Sequence, residues 1–266
     1  MSAKKTTPSD LQRDCERLRS LHVAGNPLVL PNAWDVATAR AVVEAGFPVV
    51  ATTSGGVAAA LGYEDHEGAP AKEMFAAAAR ICSRVEVPVT VDAEAGYGME
   101  PEELVTALRE VGAAGCNLED TNHPAETLRD PDHQAEWLRG VRAAASDQDY
   151  GLVINARIDV FLANRGEGAQ GDLVPEALRR AHAYIDAGVD CVYPIALWEA
   201  KPIAAYIPEA GGPVNILAIP NAPSVSELAE LGAARISYGG RLHWEAMERF
   251  RDSLALLAPG SEPAQT

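Results

Sequence analysis

A short pattern recurs along this chain: a helical stretch ends in a small residue and glycine, and an apolar strand follows at once. It reads Glu44-Ala45-Gly46-Phe47 before Val49-Val50, and Val111-Gly112-Ala113 before Cys116 to Leu118. It returns as Asp186-Ala187-Gly188-Val189 before Cys191 to Tyr193, and as Leu231-Gly232-Ala233 before Arg235 to Ser237. Glycine ends helices in the left-handed conformation, and a continuous apolar strand placed after it is buried on both faces, as in parallel sheets. The repeat therefore predicts βα units.

Eight strands are predicted, at Leu28 to Asn32, Val49 to Ser54, Val87 to Glu94, Cys116 to Asp120, Leu152 to Asp159, Cys191 to Ala196, Val214 to Ile219 and Ile236 to Gly240. Helical patterns lie between them, at Asp35 to Ala45, Ala71 to Arg84, Pro101 to Val111, Gln134 to Ala145, Pro175 to Ala187 and Ser224 to Leu231. Eight alternating units predict an α/β fold, a (β/α)8 barrel of the TIM type. It is expected as one domain over 1–258, followed by a frayed tail at 259–266. An extra amphipathic segment, Leu11 to Val23, is expected to cap the lower mouth of the barrel or to pack on a neighbour. An open doubly wound sheet needs a Gly-rich phosphate turn after its first strand, and Pro31-Asn32-Ala33-Trp34-Asp35 is not one.

At 266 residues and 47% apolar content the chain can bury one large core. Its 22 basic against 38 acidic residues give a net charge of -16, which repels polyanions and argues against nucleic acid as a partner. A small anionic substrate must then be held by local positive charge. No apolar run is long enough to span a bilayer, and the polar start with Lys4 and Lys5 resembles neither a secretory signal nor an anchor, so a cytoplasmic location is expected. Cys15, Cys82, Cys116 and Cys191 show no C-x-x-C spacing, which suits reduced core thiols and disfavours a zinc site.

In such a barrel the chemistry gathers at the C-terminal ends of the strands. There Asp92 and Glu94 share a face by the alternation of a strand, with Thr90, and two facing carboxylates suit a hard cation such as Mg2+. Asn117 and Glu119 share the inward face of the next strand, while Cys116 and Leu118 face the helices. Asn155, Arg157 and Asp159 share a third inward face, where Arg157 suits either two-point recognition of a carboxylate or phosphate, or an internal salt bridge to Asp159 or Glu119. The only lysines, Lys4, Lys5, Lys72 and Lys201, lie away from every strand end, which excludes imine chemistry. No G-x-S-x-G frame is present either.

The ordered motifs Thr53-Ser54-Gly55-Gly56-Val57, Leu61-Gly62-Tyr63-Glu64-Asp65, Asp92-Ala93-Glu94-Ala95-Gly96-Tyr97-Gly98, Asn117-Leu118-Glu119-Asp120 and Asn155-Ala156-Arg157 are similar to those of the phosphoenolpyruvate mutase and isocitrate lyase superfamily. The resemblance runs from Leu28 to Gly240. It implies Mg2+, or Mn2+, on Asp92, with Asp65, Glu94 and Glu119 acting directly or through water. It implies a substrate carboxylate on Arg157 and a substrate oxygen near the backbone N–H groups of Thr53, Ser54 and Gly55. It also implies a homo-oligomer, dimer or tetramer, whose members exchange a C-terminal helix; the amphipathic segment Leu242 to Leu257 suits that exchange and equally suits packing on its own barrel. Asn215, at another strand end, is a further candidate for substrate contact.

Two departures stand out. Glu94 occupies a position where members usually carry Asp, and the loop Thr121 to Arg129 holds neither the lysine nor the cysteine that members place there. His123 or Glu126 is left as the candidate proton donor. The expected activity is that of a Mg2+-dependent lyase. It cleaves a C–C bond of a small 2-oxo or 2-hydroxy dicarboxylate, by retro-aldol reaction or decarboxylation, through a pyruvate-type enolate in which Asp92, Arg157, Glu119 and His123 carry the chemistry. Phosphonopyruvate-type C–P chemistry and a non-catalytic 2-oxo acid binder are the alternatives.

Overall fold

The computed structural model describes residues 7–166 and 168–258. Along the chain the strands are β1 (Leu28–Leu30), β2 (Asn32–Ala33), β3 (Val50–Thr52), β4 (Val89–Asp92), β5 (Gly115–Glu119), β6 (Thr121–Asn122), β7 (Thr127–Leu128), β8 (Val153–Ile158), β9 (Cys191–Pro194), β10 (Asn215–Leu217) and β11 (Arg235–Ser237). Parallel pairing runs β2-β3-β4-β5-β8-β9 on one side and β1-β11-β10 on the other. A bridge between Val192 and Val214 joins β9 to β10. On the opposite side the expected first strand is split at Pro31, whose missing N–H breaks the ladder: the half before it pairs with β11 and the half after it with β3. The ring closes as a barrel, and an open sheet is ruled out.

The helices are α1 (Pro8–Ser20), α2 (Val36–Glu44), α3 (Ser54–Leu61), α4 (Ala71–Cys82), α5 (Pro101–Val111), α6 (Pro131–Asp147), α7 (Val160–Ala163), α8 (Gln170–Asp186), α9 (Ala200–Tyr206), α10 (Val225–Glu230) and α11 (Arg241–Leu257). The glycines of the repeat, Gly46, Gly112, Gly188 and Gly232, sit at φ between 80° and 92°, as their role in ending helices requires. α8 starts five residues before Pro175, which lies inside the helix. Near a helix start a proline removes few bonds, so the pattern Leu173-Val174 to Tyr184 carried the helix further back than the proline signal indicated. α3 and α7 have no counterpart among the predicted helices. They are short turns that leave the strand ends directly, α3 with Thr53 as its N-cap and α7 with Asp159 as its N-cap.

α1 closes the lower mouth. A reciprocal cap between Thr7 and Asp10 starts it, and Leu11, Cys15 and Leu18 are buried. Arg19 reaches Asp190 at 2.7 Å and the Gly151 and Leu152 carbonyls, while Gln12 accepts from Gly151 N–H at 3.0 Å. A side chain on Gly115 would meet Leu18 Cδ2 at 2.7 Å, so glycine at the start of β5 lets the helix seat. One apolar cluster, from Leu30 and Val50 through Leu118 and Ile154 to Ile236, packs the helices onto the strands. α11 differs: His243 is its one buried residue, and Trp244, Phe250, Leu254, Leu256 and Leu257 are exposed. The tail at 259–266 lies outside the described residues. No helix among the described residues is long and apolar enough to cross a membrane.

Candidate active site

Strand register assembles the site in rows. Asp92 pairs with Asn117, and Asn117 with Asn155. The side chains follow: Asn117 Nδ2 donates to Asp92 Oδ1 at 3.0 Å, and Asn155 Nδ2 donates to Asn117 Oδ1 at 2.8 Å. The other Asp92 oxygen accepts the Ser54 N–H at 2.9 Å, at the N-terminus of α3, where helix amides favour negative charge. One layer above, Glu119, Arg157 and Tyr193 are register partners. Arg157, 9% exposed, donates to Asp159 through Nε at 2.6 Å and Nη2 at 2.9 Å, and its Nη1 is paired with Glu119. The salt-bridge reading of Arg157 is therefore realised. It also orients the group, because two fixed carboxylates leave a planar fork little freedom.

Asp92 and Arg157 face a common cavity of about 340 Å3 at the C-terminal ends of the strands. Three arginines (157, 165, 235) and two aspartates (65, 92) line it, and of the arginines Arg157 is already paired with Glu119 and Asp159 behind the wall, so Arg165 and Arg235 are the cations left to offset the net charge of -16. This is the local attraction that an anionic substrate needs. Thr53, Ser54 and Gly55 line the same space. Thr53 N–H is taken by the Ala33 carbonyl and Ser54 N–H by Asp92, so of these three amides only that of Gly55 has no acceptor among the described residues. Asp65 lies against Gly55, since a Cβ there would sit 2.7 Å from Asp65 Oδ2.

Glu94 departs from the strand reading. β4 ends at Asp92, and Glu94 has φ of 48°, so the alternation that would aim both carboxylates into one space no longer applies. Its side chain accepts from Tyr97 OH at 2.6 Å and from the Glu67 N–H, and it does not line the Asp92 cavity. Burial, with help from Asp92 and Asp65, pushes its carboxyl up to about 7. Glu119 is likewise turned away, held between Arg157 and His123. His123 Nε2 lies 2.5 Å from Glu119 Oε1, a contact that raises the imidazole. The loop that carries it forms a β6–β7 hairpin around a 3-10 turn, and His123 lines an adjoining chamber with His66, Thr121 and Arg157. The structure thus does not bring His123, or Glu126 of the same chamber, to the Asp92 cavity. Asn215 is buried and bonded both ways to Ser237, outside the cavity lining.

Behind the site Asp120 accepts from Arg180 at 2.8 Å, from Tyr184 OH at 2.7 Å and from Asp159 N–H at 2.9 Å, which locks the carboxylate that holds Arg157. Arg235, Arg165, His66 and Trp244 also line the cavity and were not singled out from the sequence. Arg235 was within reach: starting the last strand one residue earlier places it on the inward face with Ser237. Trp244 and His66 carry no periodic signal, because they reach the rim from a following helix and from a loop.

A profile of the phosphoenolpyruvate phosphomutase family matches residues 18–258. The chain belongs to this family. A Mycobacterium tuberculosis protein described as uncharacterized is 33% identical over 219 residues, 82% of this chain and 80% of that one. A candidate 2-methylisocitrate lyase of Corynebacterium glutamicum is 32% identical over 188 residues, 68% of this chain and 59% of that protein. Among solved structures, a candidate phosphonomutase from Burkholderia cenocepacia is 37% identical, with a TM-score of 0.88 over 93% of this chain and 100% of its own. Of these three, one is thus named as a lyase and one as a mutase.

The donor set fits a divalent cation of the Mg2+ kind. Among the described residues no three His, Cys, Asp or Glu side chains converge as a ligand cage. Mg2+ does not need one: it binds through one or two carboxylates and keeps several waters. Asp92, with Asp65 lining the same cavity, meets that requirement, and each Asp92 oxygen keeps a lone pair beyond its hydrogen bond.

Proposed function

We propose that the protein is a Mg2+-dependent carbon–carbon lyase acting on a small 2-oxo or 2-hydroxy dicarboxylate: loss of CO2 from a 2-oxo acid would leave a pyruvate-type enolate, whereas retro-aldol cleavage of a 2-hydroxy acid would leave a 2-oxo acid and the enolate of the other carboxylate fragment. The observation that carries this reading is the placing of Asp92, fixed by Ser54 N–H and Asn117, in one cavity with an Arg157 that two carboxylates hold in place. Mg2+ when bound supplies Lewis-acid polarisation of a substrate oxygen. Arg157 takes one carboxylate of the substrate through the donors that Glu119 and Asp159 leave open. The Gly55 N–H, at the start of α3, donates to oxygen charge as it develops. The hairpin Thr121 to Leu128 shields the Arg157 side of the cavity from water.

Among the described residues the wall of the cavity offers no lysine and no cysteine as proton donor, which favours decarboxylation, a step that needs no positioned acid to start. C–P chemistry is the second reading, favoured by the 37% identity to the candidate phosphonomutase. The exposed Trp244, Phe250, Leu254, Leu256 and Leu257 of α11 support a homo-oligomer, dimer or tetramer.

The test is direct. Purified protein with Mg2+, and with EDTA as control, is given oxaloacetate, 2-methylisocitrate, 2,3-dimethylmalate and phosphonopyruvate. Pyruvate release is followed by a coupled reductase, and phosphorus by 31P NMR. Metal-dependent pyruvate from any of the first three, lost in Asp92→Ala, supports the lyase. Conversion of phosphonopyruvate alone supports C–P chemistry, and calorimetric binding without turnover of any of the four overturns an enzymatic role.

A further inference from the structure

Arg235 opens β11 and is 3% exposed, yet its Nε and Nη1 meet no acceptor among the described residues. The other two buried arginines are treated differently: Arg157 has Glu119 and Asp159, and Arg180 has Asp120 and Glu176. A cation withdrawn from water without a counter-charge is among the costliest groups a fold can bury, so an unpaired guanidinium asks what pairs with it.

The surrounding groups do not. Those that act on it electrostatically are Cys191, Tyr193, Asp92 and Cys116. Burial pushes both thiols up to about 12 and the Tyr193 phenol above its ordinary value, so all three are neutral at physiological pH. Asp92 is the one carboxylate among them, and its oxygens are bonded to Ser54 N–H and Asn117. His22, which Arg235 and burial together hold down to about 4, is neutral as well and supplies no anion.

Arg235 also lines the cavity that holds Asp92 and Arg157, and Tyr193 lies within electrostatic reach of both guanidinium groups. We propose that Arg235 is an anion-binding residue of this cavity. It receives the second anionic group of a substrate whose first is held by Arg157, so that the site selects small dianionic acids, dicarboxylates or phosphonocarboxylates, over monoanionic ones. The assignment rests on the reading of the cavity as an organic-acid site. It adds a determinant of selectivity to that reading.

Malate and 2-hydroxybutyrate share a four-carbon skeleton and differ by one carboxylate, which makes them matched probes for calorimetry in Mg2+ buffer. The wild type is expected to bind malate about 10- to 100-fold more tightly, and Arg235→Met to lose about that factor for malate while 2-hydroxybutyrate stays within about threefold, the range for a hydrogen bond to a charged group. A Met variant that keeps the wild-type preference overturns the role of Arg235 and leaves the organic-acid reading standing. Wild-type protein that binds neither acid overturns both. Equal loss of both acids assigns Arg235 to structure and overturns the proposal. If Arg235→Met does not fold, Arg235→Gln is measured in its place, and failure of both to fold is likewise the structural outcome.

Discussion

Replacing Arg157 by Met tests the electrostatics of the site through stability alone. The guanidinium is the cation between Glu119 and Asp159, whose side chains are each 2% exposed. Its removal strands two buried carboxylates, and breaking a buried ion pair costs about 3–5 kcal/mol. For a chain of this size that corresponds to a fall in Tm of about 6–20 °C. The pH dependence follows from the sign of the shift. Burial already pushes the Glu119 carboxyl up, against the pull of Arg157 and the bond from His123. Without Arg157 it rises further, and a carboxyl raised above its unfolded value favours the fold at low pH and loses that contribution as pH rises. The deficit of Arg157→Met in thermal melts is therefore smaller at pH 5 than at pH 8, and adding Glu119→Gln and Asp159→Asn restores part of it. A fall under about 3 °C, or a deficit equal at both pH values, would show that the cluster does not carry the charges assigned to it.

Asp92→Asn keeps an oxygen for the Ser54 N–H and a similar shape, so its melting temperature is expected within about 3 °C of wild type, a shift of about 1 kcal/mol; turnover in the pyruvate assay is lost, and activity retained removes Asp92 from the reaction. Gly55→Ala drives a methyl into Asp65, whose carboxylate is the free end of its side chain, so stability changes little while kcat/KM falls by about 10- to 100-fold. Unchanged kinetics would take the Gly55–Asp65 contact out of the site. The four buried thiols resist alkylation at pH 8 in the native protein, where Cys116 and Cys191 stay protonated with pKa near about 12, and react after unfolding. Rapid native labelling of Cys116 or Cys191 would contradict their burial.

Much of the fold was legible because the βα repeat is a local signal: each glycine that ends a helix and each apolar strand after it acts within a few residues. The strand ends likewise named Asp92, Asn117, Asn155 and Arg157: the first three are hydrogen-bonded in a row, and Arg157 lines the same cavity as Asp92 and Asn117. Alternation failed where the backbone left the strand. Glu94 and Tyr97, both at positive φ, turn one carboxylate out of the cavity and tie it to a tyrosine. The loop histidine was visible in the sequence, but its partner Glu119 and its separate chamber were not.

What the chain determined by itself is periodicity: the number of βα units, which face each strand residue takes, and therefore which polar groups collect at the upper rim. The tertiary structure alone decided which of those charges neutralise one another. Closing the barrel brings β5 beside β8, so that Arg157 is claimed by Glu119 and Asp159, and brings β11 beside β1 and β10, where among the described residues no carboxylate pairs with Arg235. Pairing energies depend on distances of a few ångströms between residues far apart in sequence, and those distances exist only once the ring is closed.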